Sequence, residues 1–508
     1  MKKLFYTLII VLNISSSVLA EGFDMLQPAN PFRPSPVPEN SLGITVKKAT
    51  LTQNNLRNQF VIGYNKFLQS NIKSAYSDFD VLINSMTSND YGYMQISEKM
   101  ADIGFFNLSD LAISKIEDKS LSDFWVDDIK LYYYPSKKLS NDDEMYLGEV
   151  YSNIVYNDQS KEATAELVKD TTLLRNSDYA NYVASLGYLK SGDIINAEIY
   201  INTAIKMNQQ NLNYKKLKAE ILAQTKKPQN ALKLVEYIKS QKLYTTDFEQ
   251  KINSLEQYIL YKSKKNYSEK MYHLGYYYYF EKEYAKSVRS LQNAFSKKKK
   301  HNKDVYAVLS RVYFDTQDYE KAQDYALKAY KIDSHNPIAL LVLGDLKIQA
   351  KDYKSALKYY KEAEATEKRT SIPAIRVAQT YEKLDKQKKA IEIYQKVLKT
   401  YNDCYIAYYK IALTDKSREV AYLKKAIAIN LNYKDAWIDL GRISLEKEQY
   451  AEAKKYLTIA NYIDENDFRY YYYQGLLAKK QGLEASSFFK KSLSLNPNYE
   501  PAKEELNL

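Results

Sequence analysis

A recurrence of 34 residues runs through the C-terminal half of the chain and constrains its fold more than any other feature. Tyr306, Leu340 and Ala374 stand at this interval, and each opens the same pattern. The copies read Met271-x2-Leu274-Gly275-x2-Tyr278, Tyr306-x2-Leu309-Ser310-x2-Tyr313, Leu340-x2-Leu343-Gly344-x2-Lys347, Ala374-x2-Val377-Ala378-x2-Tyr381 and Trp437-x2-Leu440-Gly441. A small residue recurs nine positions after the aromatic slot: Ser287, Ala322, Ala356, Ala390 and Ala453. Positions i, i+3, i+4 and i+7 lie on one face of an α-helix, so each copy is an amphipathic helix followed by a second one. Gly275, Gly344, Gly441 and Ala378 fall where two such helices must approach closely. A helix pair of this size cannot bury its apolar face alone, so each copy has to stack on the next.

Composition agrees. Only 13 glycines and 11 prolines occur in 508 residues, which disfavours a turn-rich β architecture. Asp318-Tyr319, Asp352-Tyr353 and Gln449-Tyr450 mark turns between paired helices, and Asn336-Pro337 and Asn496-Pro497 mark repeat ends, since proline is tolerated in a first helical turn.

The pattern resembles the tetratricopeptide repeat, here in an exported bacterial protein. The resemblance implies an all-α fold, a right-handed superhelical α-solenoid of helix pairs whose first helices line a concave groove. Earlier copies are weaker: Gly63, Ala75, Phe79 and Leu82 fit one, Tyr188, Gly192, Ala197 and Ala204 a second, Leu222, Ala231 and Val235 a third. Near Gly104 and Leu147-Gly148 the openings occur without fitting second helices, and Tyr405 to Tyr433 is a shortened copy. The expected organisation is a signal peptide at 1–20, a proline-rich linker at 21–50 and a degenerate repeat region at 51–243. A connecting helix follows at 244–267, then a repeat array at 268–508 that ends in a polar capping helix from Pro501.

Lys2 and Lys3 precede the apolar run Leu4 to Leu12, and Ser15-Ser16-Ser17-Val18-Leu19-Ala20 follows. A basic n-region, a short h-region and a small-residue boundary make a secretory signal. The run is too short to span a bilayer, and no later stretch is long and apolar enough to do so. The mature chain is therefore expected outside the cytoplasm, in a bacterial periplasm or secreted beyond it. That location argues against nucleic acid as a partner, despite 74 Lys and Arg against 62 Asp and Glu. Lys297 to Lys300 read as a solvated corner between helices. Five prolines between Pro28 and Pro38 favour an extended polyproline II tether.

Catalytic signatures are missing: HExxH, GxSxG, a P-loop and paired G-x-G glycines do not occur. Cys404 is the sole cysteine and reads as a buried thiol; His273 reads as a packing residue and His335 as loop. The expectation is a non-enzyme with no cofactor and no metal. It would be a scaffold that binds a protein or peptide segment and serves assembly or organisation of an envelope complex. Two alternatives stand beside it: an envelope polymer (glycan or peptidoglycan) binding module, and an accessory or catalytic subunit of a glycan enzyme, its carboxylates hidden between Tyr91 and Ser177. The 51 tyrosines fit either a contact surface or AT-rich coding.

In tetratricopeptide proteins the groove is lined by first helices. The packing face of one is taken by Met271, Leu274, Gly275 and Tyr278, which leaves Tyr272, Tyr276 and Tyr279 as a second stripe. Matching slots farther on hold Ala307, Arg311 and Phe314, then Asp345, Gln379, Tyr409 and Arg442. These tyrosines, with Arg311, Phe314, Asp345, Gln379, Tyr409 and Arg442, form the candidate groove. The same slots lack the Lys/Asn pattern of carboxylate-clamp repeats. The export reading predicts a mature chain starting at Glu21. Mass spectrometry of exported material should find that terminus, and an intact Met1 would overturn it.

Overall fold

The computed structural model describes residues 53–507, apart from 88–89, 226, 242–245, 297–301 and 403, together with Thr45–Val46. The signal peptide, nearly all of the proline-rich linker and the Lys297 to Lys300 corner lie outside the described residues. Within them the chain is all-α. The strand residues described form a two-residue antiparallel pair, Thr45–Val46 with Met86–Thr87. The chain divides into two compact units, 215–422 and 1–214 with 423–508, whereas the repeat pattern divides it near 243 and 268.

In the 215–422 unit, helix hairpins follow one another: Tyr267–Phe280 with Tyr284–Asn293, Lys303–Asp315 with Tyr319–Ile332, Pro337–Gln349 with Tyr353–Thr366, and Ile372–Lys383 with Gln387–Thr400. Thr246–Ser263 packs on both Pro228–Ser240 and Tyr267–Phe280. The shortened copy begins with the eight-residue helix Tyr405–Ala412.

The small residues sit where the helices cross. A Cβ on Gly344 would stand 2.3 Å from Cε1 of Tyr360, sixteen residues on. Beside Gly275, the Ser287 hydroxyl donates to the Gly275 carbonyl at 2.7 Å. The turns between paired helices also repeat. Gln317, Lys351 and Asp385, 34 residues apart, all have positive φ, and Asp318 and Asp352 then cap the second helix by accepting backbone N–H bonds at 3.2 Å. A further tie accompanies three hairpins. Lys286, Lys321 and Lys389 lie over the rings of Tyr278, Tyr313 and Tyr381, eight residues earlier, at 5.5, 5.2 and 5.9 Å.

The other unit joins an N-terminal and a C-terminal stretch. At 53–85, a Cβ on Gly63 would touch Phe79 at 3.0 Å. Between 90 and 177 the second helices are truncated: Phe106–Ser114 has 9 residues, Ser160–Leu167 has 8 and Thr171–Asn176 has 6. The cleft beside Gly148 is filled by the Phe105 ring instead.

Helix Asp90–Asp102 is buried along most of its length. The Asp90 carboxylate, 1% exposed, accepts the backbone N–H groups of Glu117 and Asp118 at 2.8 and 3.1 Å and the Lys455 ammonium at 2.8 Å. The Tyr91 hydroxyl donates to Asn432 at 2.6 Å, and its ring stands edge-on to buried Trp437. Lys424 pairs with Asp118 at 2.8 Å. Residues 90–118 and 424–456 thus share one packed region.

At Gly441 a Cβ would stand 2.6 Å from Cγ of Leu457. Gly441→Leu therefore overpacks the crossing and should cost about 1–3 kcal/mol or more, read as a lowered denaturation midpoint. An unchanged midpoint would place Gly441 away from the helix contact.

Candidate functional site

Five of the candidate residues occupy one register position, five residues after the opening of their repeat: Tyr276, Arg311, Asp345, Gln379 and Arg442; in the shortened copy Tyr409 stands four after Tyr405. A hairpin repeat projects such positions from successive first helices. In the 215–422 unit the structure joins several of them by side-chain bonds.

The Tyr279 hydroxyl donates to Oδ2 of Asp315 at 2.9 Å. Arg311 binds both oxygens of Asp315, at 3.1 and 2.8 Å, and reaches Oδ2 of Asp345 at 3.1 Å in the next repeat. Asp345, 5% exposed, accepts the Tyr360 hydroxyl at 2.7 Å on its other oxygen, where Arg376 Nε lies at 3.3 Å. Arg376 donates to Gln379 at 3.3 Å. The result is a ladder across four first helices, Tyr279–Asp315–Arg311–Asp345–Arg376–Gln379. Two guanidinium groups in it face two carboxylates.

Electrostatics follow from this pairing. Burial opposes the charge on Arg311, but Tyr279, Asp315 and Asp345 outweigh it and hold the guanidinium protonated, above its usual range. Burial pushes up the phenols of Tyr272, Tyr276 and Tyr279, Tyr276 to about 12; Arg311 and Arg369 pull that phenol down, and Glu256 and Glu367 raise it. None of these phenols ionises at neutral pH, so all three serve as rings and neutral hydroxyls.

The tyrosine stripe is continuous, with ring centres 6.1 Å apart from Tyr272 to Tyr276 and 5.8 Å from Tyr276 to Tyr279. It is half-buried and packs on Leu291 of its own hairpin and on Val305, Val308, Leu309 and Val312 of the next. Phe314 lies under the Arg311 guanidinium at 5.6 Å and packs toward Ala322, Ala326 and Val342. Ala307 is buried with Ala329 and Ala339. Tyr409, 7% exposed, is a core ring. Arg442 belongs to the other unit, where it pairs with Asp439 and Glu446 of its own helix at 3.1 and 2.7 Å.

Sequence reading found the register position but missed Asp315, Tyr360 and Arg376. A signal existed for Tyr360: it fills the second-helix slot opposite Gly344, next to Asp345. Asp315 and Arg376 follow only from knowing how one repeat sits on the next.

Other chemistry-bearing residues have packing duties. His273 Nδ1 is 2.9 Å from Gln257 Oε1, and burial, with Lys264 in support, lowers its pKa to about 4, so it stays neutral at neutral pH. Cys404 is buried. In the other unit Glu144, 0% exposed, is raised to about 8 by burial while it accepts the Asn107 backbone N–H at 2.8 Å. It caps helix Phe106–Ser114, out of reach of a sugar. Among the described residues no three His, Cys, Asp or Glu side chains converge as a metal-holding group, and no helix is long and apolar enough to cross a membrane.

One tetratricopeptide-repeat family model matches residues 307–370, and a second matches 375–404 and 434–467. No curated protein matches the chain. Among solved structures, the chain is similar to the anaphase-promoting-complex hetero-tetramer Cut9–Hcn1, at 13% identity over 90% of this chain and 96% of that one, with TM-score 0.44. PilF of Pseudomonas aeruginosa is 15% identical over 47% and 97%, with TM-score 0.27. PilW, described as a type IV pilus biogenesis factor, is 20% identical over 40% and 98%, with TM-score 0.34.

Removing Arg311 would leave Asp315 and Asp345 without their shared cation. Arg311→Met is expected to cost about 2–3 kcal/mol, less than a fully buried pair loses, because the Arg311 side chain keeps 18% exposure. Chemical denaturation followed by circular dichroism measures this. A midpoint equal to the parent's would show that the ladder adds nothing to stability.

Proposed function

Because the chain is a tetratricopeptide-repeat protein, we propose that it is a non-enzymatic scaffold that holds a peptide or protein segment against first helices of the 215–422 unit. The ladder carries this reading. It fixes one register position on consecutive first helices, so that a partner meets an ordered surface rather than separately mobile side chains. Tyr276, half-buried beside its Tyr279 end, and Gln379, half-buried at its other end, offer an aromatic contact and an adaptable amide. Arg369, whose side chain is 88% exposed, supplies a guanidinium held by Glu367 at 2.9 Å.

The scaffold works outside the cytoplasm, in assembly or organisation of a cell-envelope complex. That part rests on Lys2-Lys3, the apolar run and the Val18-Leu19-Ala20 boundary. Sugar stacking on Tyr272, Tyr276 and Tyr279 is disfavoured because it needs open ring faces and all three rings are partly buried against an apolar core, whereas a peptide side chain needs only the part of Tyr276 left exposed. Matched Arg and Asp in the ladder likewise give a polyanion no charge excess there.

The test is capture from the native envelope fraction by the mature chain and by a Tyr276→Gln/Gln379→Glu variant. Gln379→Glu preserves side-chain bulk, Tyr276→Gln removes a half-buried ring, and a melting curve verifies that the variant still folds. The parent should retain specific proteins that the variant loses. A folded variant that keeps every partner would remove the groove assignment, and a chain that remains cytoplasmic would remove the envelope role.

A further inference from the structure

Charge is divided very unevenly between the two units. Residues 215–422 contain 42 Lys and Arg against 25 Asp and Glu, an excess of 17, while the remainder has 32 against 37. The ladder does not hold this excess, since its charges cancel. Part of it, an excess of 7, stands on the second helices of the four hairpins, whose solvent-facing sides the groove reading leaves unused.

Comparing second helices in register shows where their lysines stand without an acidic partner. In Tyr319–Ile332 lysines are matched by acids one turn away: Lys321 pairs with Asp318 and Lys328 with Asp324, both at 2.6 Å. One repeat later the acids sit elsewhere: Glu362 and Glu364 lie toward the C-terminal end of the helix, and among the described residues neither pairs with a lysine of that helix. Glu320 is replaced by Lys354 and Asp324 by Lys358. Lys354, Lys358 and Lys361 stand at i, i+4 and i+7 on helix Tyr353–Thr366, opposite its buried Ala356, Tyr360 and Ala363. All three are exposed, and among the described residues none pairs with an acid. Lys354 and Lys358, at i and i+4, repel; Glu362, at i+4 from Lys358, offsets part of this without forming an ion pair.

A second observation brings the next repeat into the same patch. Lys361 from Tyr353–Thr366 and Lys389 from Gln387–Thr400 both lie over the ring of Tyr381, at 5.4 and 5.9 Å. Tyr381 is 8% exposed, so its ring is a fixed platform that draws two ammonium groups from different hairpins together. Neither has a carboxylate partner.

We propose that the solvent-facing side of helices Tyr353–Thr366 and Gln387–Thr400, centred on Tyr381 and carrying Lys354, Lys358, Lys361 and Lys389, is a docking surface for an acidic protein segment. Spacing favours a polypeptide. The stripe rises about 6 Å and then about 4.5 Å along its helix, and carboxylates on alternate residues of an extended chain recur every ~6.6 Å. Binding would relieve the repulsion within the stripe. This surface is separate from the first-helix groove, so the scaffold could engage two segments at once.

The experiment uses the mature full-length chain and a fluorescent peptide of about 15 residues alternating Glu and Ser, so that its acids match the extended-chain spacing. Lys354/Lys358/Lys361/Lys389→Gln should weaken binding at least ~10-fold, and parental affinity should fall steeply as ionic strength rises from ~0.05 to ~0.3 M and screening tightens. The same variant should melt at or above the parental temperature at low salt, which separates lost binding from lost folding. Lys233/Lys265/Lys282/Lys331→Gln removes the same charge elsewhere in the unit and should change affinity less than about twofold, because the patch and not diffuse attraction binds. Equal weakening by both variants, or none by the first, would overturn the proposal. So would patch-dependent binding of heparin with no patch-dependent binding of the peptide, which marks a polyanion site. The Tyr276→Gln/Gln379→Glu variant should bind the peptide as the parent does, so failure of the groove reading and failure of this one give different results.

Discussion

Close approach of paired helices is the constraint on which the remaining structure rests. Where Gly344 meets Tyr360 there is no room for even a β-carbon, and the same geometry recurs where Gly441 meets Leu457. Such a crossing brings the second helix near enough to bury its aromatic or leucine residue fully, as at Tyr360 and Leu457. It also fixes what lies beside it. Tyr360 is pressed against Gly344, so its hydroxyl emerges at Asp345 and ends in a hydrogen bond rather than in apolar packing.

Once the hairpins are fixed, repeats are tied to one another at an interval near 34 residues by polar bonds. Arg311 reaches Asp345, and Asn336 donates to Asp304 at 3.0 Å. In the other unit Arg469 reaches Asp435 at the same interval. These ties cross interfaces that apolar packing leaves free to slide, so they fix the register of neighbouring hairpins. A solenoid's stability is the sum of repeat and interface terms, and these bonds act on the interface term.

How much of this was legible in the sequence depended on the range of the interaction. Pairing within a hairpin was readable, because Gly and its partner lie sixteen residues apart and small residues recur at fixed offsets. Helices, turns and crossing residues at 268–400 follow from that. The groove column was readable as a register position, but not its state: that Arg311 and Asp345 neutralise each other depends on how neighbouring repeats stack. Least legible was 90–177. Its second helices are too short to show a period, and helix Asp90–Asp102 finds its partners more than 300 residues away, at Asn432 and Lys455. No local pattern encodes such a contact. Tyr91 and Asp90 look like ordinary surface residues until Trp437 and Lys455 are placed beside them.

The two faces of the 215–422 unit differ for a reason rooted in repeat geometry. First helices are flanked by neighbours on both sides, so a charge placed there is partly desolvated and must find a partner; Asp345 has three donors. Second helices keep one side in water, where an unpaired lysine costs little and sequence is free to drift. Drift accounts for scattered lysines, and AT-rich coding would add to it. It does not account for Lys361 and Lys389 sharing the Tyr381 ring, since that ring is the aromatic slot of its repeat and is fixed by the fold. The repeat supplies the platform, and differences at single register positions, Lys354 for Glu320 and Lys358 for Asp324, turn a helix face of paired lysines into one of unpaired lysines without disturbing the core beneath.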